Sequence, residues 1–83
     1  MDIEKIKREL EGIDTMQNVI VSYKSYRDVY DIHAKIKFDE YVVKDIFNNI
    51  EGLDYQYYEF GIFNFWFSPK DEDVILNKLI LNF

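Results

Sequence analysis

From Tyr30 to Phe38 every second residue is apolar: Tyr30, Ile32, Ala34, Ile36 and Phe38 alternate with Asp31, His33, Lys35 and Lys37. A period of two over this length belongs to a strand with one face in a core and the other in water. Such a strand needs a partner, and the preceding segment supplies one, because Val19, Val21 and Tyr23 alternate with Asn18, Ser22 and Lys24. If Ser25-Tyr26-Arg27-Asp28 is a four-residue loop, Tyr23 faces Tyr30 and Val21 faces Ile32, and both apolar sets share one side. An odd loop length would place them on opposite sides, so the pattern selects the register.

The stretch YQYYEFGIFNFWF, residues 55–67, predicts a second hairpin and holds eight of the fifteen aromatic residues. A three-residue loop Glu59-Phe60-Gly61, built as a type I turn with Gly61 left-handed, pairs Tyr58 with Ile62, Tyr57 with Phe63 and Tyr55 with Phe65. Tyr55, Tyr57, Phe63, Phe65 and Phe67 then point together into the core. A two-residue loop would set Gln56 and Asp54 beside Phe65 and Phe67, which buries less. Tyr58, Ile62 and Trp66 are left on the other face. Ile20 and Val29 join them there, within a polar rim of His33, Lys24, Lys35, Lys37, Asn64 and Gln56.

Three helices complete the pattern. Asp2 caps the first, near 2–11, with Ile3, Ile6, Leu10 and Ile13 as its stripe and Gly12 as its stop. Asp39 caps the second, near 39–51, with Val43, Ile46, Phe47 and Ile50 inward and Gly52 closing it. Ser68-Pro69 opens the third, near 69–82, and Asp71, Glu72 and Asp73 suit its positive N-terminus. Strands are expected near 18–24, 29–38, 54–59 and 62–67. The order is α-ββα-ββα, two ββα units about thirty residues apart. The expected fold class is α+β: a single domain, 1–83, with a four-stranded antiparallel sheet and helices packed on one face.

The third helix is apolar over most of its circumference. Val74, Ile75, Leu76, Leu79, Ile80, Leu81 and Phe83 leave only Asn77, Lys78 and Asn82 polar. It needs cover on more than one side, from the first helix and the sheet or from a second copy.

Chemistry is sparse. With no cysteine there is neither a disulfide nor a thiol nucleophile. The lone His33 and Asp31 share a strand face, but two ligands do not make a metal site, and a solvated histidine beside an aspartate is expected. With His33 read as the partner of Asp31, Ser22 and Ser25 have no other histidine to serve them in a triad. The chain is therefore expected not to be an enzyme and to need no cofactor or metal. The N-terminal MDIEKIKREL lacks the apolar run of a signal peptide, and no stretch is long enough to span a membrane, so a cytoplasmic protein without membrane contact is expected.

Ten basic against sixteen acidic residues give a net charge of −6, which argues against direct nucleic-acid binding. EFGIFNFWF at 59–67 resembles the aromatic strand of an RNA-recognition motif. It departs from that motif in lacking the leading basic residue and in carrying Phe63 where a small residue is needed. The element order also resembles that of LAGLIDADG homing endonucleases, and LEGIDT at 10–15 resembles part of their motif. The second acid is missing there, with Thr15 in its place, and no site residue carries over.

What remains is action through the surface. Acidic clusters at Glu9, Glu11 and Asp14, at Glu51 and Asp54, and at Asp71, Glu72 and Asp73 suit a basic partner, as in proteins that mimic DNA. The expected function is a small protein-binding inhibitor, either a phage or mobile-element anti-defence protein or a toxin-immunity protein. It would dock on a basic surface of a larger protein, such as a nuclease. The expected contact residues are Trp66, Tyr58, Ile62 and Ile20 on the sheet and Asp71, Glu72 and Asp73 on the third helix. The second reading is a homodimeric ligand-binding or regulatory module.

Overall fold

The structure, a computed structural model, describes residues 2–83. Strands β1 (Met16–Lys24) and β2 (Val29–Ile36) form the first hairpin, with Tyr23 opposite Tyr30 and Val21 opposite Ile32 as the alternation requires. Strands β3 (Asp54–Tyr57) and β4 (Ile62–Phe67) form the second, with Tyr55 opposite Phe65 and Tyr57 opposite Phe63. The two hairpins join through an antiparallel β2–β4 pairing. The sheet order is β1-β2-β4-β3, which is unchanged when the two hairpins are exchanged. Helices α1 (Ile3–Glu11), α2 (Glu40–Asn48) and α3 (Glu72–Asn82) cover one face, and a short 3-10 turn (Pro69–Asp71) leads into α3.

Phe63, Phe65 and Phe67 are buried, as are Tyr30, Ile32, Ala34 and Ile36 beside them. Phe47 of α2 is the hub of the core. Its ring lies 5.1 Å from Phe65, 5.3 Å from Tyr55, 5.6 Å from Phe63 and 5.7 Å from Phe83. These are the edge and tilted contacts that aromatic quadrupoles favour. Most of the aromatic concentration in 55–67 is thus core.

Several details differ from expectation. The second hairpin keeps the expected register, but its turn is of the mirror-image type. Phe60 (φ 56°) and Gly61 (φ 77°) both have positive φ, and the Ile62 amide donates to the Glu59 carbonyl. Two left-handed central residues define a type I′ turn, which matches the twist of the flanking strands. Tyr58 and Glu59 then stand together opposite Ile62, a bulge that ends β3 at Tyr57.

Strand β1 starts two residues earlier than the alternation implied. Asn18 is left-handed (φ 55°) and the register shifts by one between Gln17 and Ile20. This bulge puts both Met16 and Val19 on the core side, three positions apart. β2 stops at Ile36, and Phe38 leaves the strand to pack edge-on against Phe83 at 5.8 Å. α2 ends at Asn48 because its last turn tightens, with the Asn49 and Ile50 amides bonded to the Ile46 and Phe47 carbonyls three residues back.

The caps are unequal. The Asp39 carboxylate accepts from the Tyr41 and Val42 amides, and the Ser68 hydroxyl accepts from the Lys70 amide. Asp2 stands at the N-cap of α1 without such a bond, and Gly12 ends that helix in right-handed conformation. α3 lies on the sheet through Ile75, Leu76 and Leu79. It meets α1 at Lys5–Glu72, and Gly52 (φ 88°) lets the loop after α2 approach Asp71 and Ile75 closely.

Candidate docking surfaces

The face of the sheet away from the helices is open, and the strand pairings map it in rows. Ser22, Asp31, Trp66 and Asp54 form one row; Ile20, His33, Asn64 and Gln56 form the next; Lys35 and Ile62 follow, with Tyr58 beside Ile62. The four expected sheet residues therefore do share one face. Ile20 is 62% exposed, Tyr58 and Ile62 are exposed, and Trp66 is half-buried with the Arg27 guanidinium 5.1 Å above its ring.

The centre of this face is more ordered than the sequence suggested. Asp31, on the strand face expected to meet water, is only 8% exposed, and so is Asn64. The Asn64 side-chain amide donates to Asp31 Oδ1 at 3.0 Å and to the Ile32 carbonyl at 2.9 Å. His33 Nε2 lies 3.4 Å from Asp31 Oδ2, and its ring stacks on Tyr58, with centroids 6.3 Å apart and planes within 17°. A buried carboxylate needs such partners, which tie β2 to β4 from the solvent side. The contact runs diagonally, because Asn64 stands opposite His33 and Asp31 opposite Trp66, and it depends on the β2–β4 pairing that the sequence does not reveal. Among the described residues no three His, Asp or Glu side chains gather as a metal would require. Among the described residues no helix is long and apolar enough to cross a membrane.

The acidic trio at the start of α3 does not form one presented patch, nor does it stand on the open sheet face. Glu72 is 8% exposed, turned inward to Lys5 Nζ at 3.4 Å and near the Tyr30 hydroxyl. It serves the fold, because a helix packed on α1 must satisfy what it buries there. Asp73 stays exposed within 3.6 Å of the same ammonium, and Asp71 is half-exposed. The Lys5 pKa is raised by its hydrogen bond to Glu72 and by the charge of Asp73.

On the outer side of α3, Val74, Ile80 and Leu81 are exposed, Leu81 to 83%. The sheet and flanking elements thus bury only part of this helix's apolar surface. A groove between α3 and the loop after α2 mixes Glu51 and Asp71 with Lys70 and Lys78, so its charges offset one another. No family model matches the chain, and neither a curated protein nor a solved structure does.

Proposed function

We propose that this protein is a small inhibitor that acts by docking on a basic surface of a larger protein. Its biological setting would be phage or mobile-element anti-defence, with a nucleic-acid enzyme as target, or immunity against a toxin. The observation that carries the reading is the outer side of α3. Val74 and Leu81 are exposed on a helix with more apolar surface than its own fold covers, with Lys78 between them by helical spacing and the exposed Asp73 preceding Val74. An apolar centre with charge at its margin is how protein interfaces are built. The net charge of −6 favours a cationic partner through steering and complementarity.

The test is capture of partners from a lysate by the purified chain, compared with a Leu81→Lys variant and an Asp71→Lys/Asp73→Lys variant. A basic protein held by the parent chain, lost with Leu81→Lys and weakened by added salt or by the charge reversal, is expected. Capture that neither variant nor salt changes would refute the reading.

The same stripe supports a second reading. Two copies could cover each other's Val74 and Leu81 about a two-fold axis, since such an interface uses one patch twice. Solution mass separates the two.

A further inference from the structure

The open sheet face lacks the net negative charge of the rest of the molecule, and its cations and acids lie toward different strands. Of ten basic residues in a chain of net charge −6, Lys24, Arg27 and Lys35 stand on or over this face, and among the described residues none of them is in a salt bridge. The acid at its centre, Asp31, is buried and hydrogen-bonded, and the remaining acids on this side, Asp54 and Glu59, belong to the far edge strand and its turn.

A depression of about 180 Å³ opens beside the Asn18 bulge, walled by Ile20, Ile62, His33 and Lys35. This is below the roughly 300–1,000 Å³ of ordinary small-molecule sites and suits one apolar side chain. At the same end of the sheet Phe60 is 78% exposed although its backbone is left-handed. The type I′ turn accounts for that backbone, so it is the exposed ring alone that adds apolar surface at this end of the sheet.

We infer that this face is a second docking surface, separate from α3. Its occupant is an acidic segment of another protein that places one apolar side chain between Ile20 and Ile62. The carboxylates of that segment meet Lys35 and Lys24. The depression is framed chiefly by Ile20 and Ile62, and its one ring, His33, is already stacked on Tyr58, which favours an apolar side chain over a stacked base.

Three probes test this on the ¹⁵N-labelled full chain by NMR: a short blocked peptide alternating glutamate with leucine, the same peptide with lysine for glutamate, and an oligothymidine. The glutamate peptide should shift the amides of Ile20, His33, Lys35 and Ile62 saturably. Its affinity should fall about tenfold in Lys24→Glu/Lys35→Glu, the scale of lost charge contacts, and that variant should prefer the lysine peptide. Both substitutions are at the surface, and an otherwise unchanged spectrum verifies the fold. Several results would overturn the inference: no saturable shift at those amides, shifts centred on α3, or equal response to the oligothymidine. So would concentration-dependent shifts at the same amides without any peptide, which would make the occupant a second copy.

Discussion

Phe60 and Gly61 sit side by side in left-handed backbone, and substitution should move stability in opposite directions at the two positions. Phe60→Asn gives the Asn-Gly pair that type I′ turns prefer and should stabilise by about 0.5–1 kcal/mol. Gly61→Ala puts a Cβ 3.2 Å from the Ile36 carbonyl at φ 77° and should destabilise by more than about 1 kcal/mol. Urea titration reads both, and equal signs would show that the turn is not of this type. Asn64→Ala should cost about 1–3 kcal/mol, because it withdraws the amide that satisfies buried Asp31. A cost within a few tenths would show that water replaces it without penalty. Gly61 was legible in the sequence because glycine is the expected residue at a positive φ. Phe60 was not, since nothing in its chemistry favours that conformation. Asn18 lies between: asparagine tolerates the left-handed region, and it falls where Met16 and Val19 break the alternation.

At the scale of elements, the strands and helices were legible because a period of two and a stripe of three to four differ plainly when one face is buried. Their ends were less so. β3 ends at a bulge and α2 at a tightened last turn, and both depend on backbone bonds that composition does not encode. The cap residues were visible, but their strength was not. Asp39→Ala should cost about 1 kcal/mol, since two amides lose their acceptor. Asp2→Ala should cost only a few tenths, since no side-chain cap bond is present. Thermal melts of the two variants make the comparison, and equal losses would contradict the cap geometry. The excess apolar surface of α3 was also legible, though not which residues stay uncovered. That depends on how α1 and the Gly52 loop flank the helix.

At the scale of the whole molecule, the register of each hairpin could be read from its pattern, but the order of strands could not. Nothing local says that β4, rather than β3, joins β2, and the make-up of the open sheet face depends on that choice. It brings Trp66, Ile62 and Asn64 beside Asp31 and His33, and it leaves the acids of α3 on another layer. The fold should also be sensitive to alkali. Lys5 is raised by Glu72 and Asp73, Lys44 by Glu40, Tyr23 by its 2.6 Å bond to Asp28 and Tyr30 by burial. A group whose pKa is raised on folding adds stability that is full below its unfolded value and lost as pH climbs through the folded one. Unfolding free energy should therefore fall above about pH 10 through these four groups. A flat profile there would contradict these pairings.

If, as proposed, the uncovered side of α3 meets a different protein, two copies of the chain should not associate through it. Sedimentation velocity of the purified chain over the micromolar range tests it most directly. The mass of a single chain is expected at every concentration, unchanged by Leu81→Lys. A concentration-dependent dimer that Leu81→Lys dissolves would contradict it and make the stripe a homodimer contact.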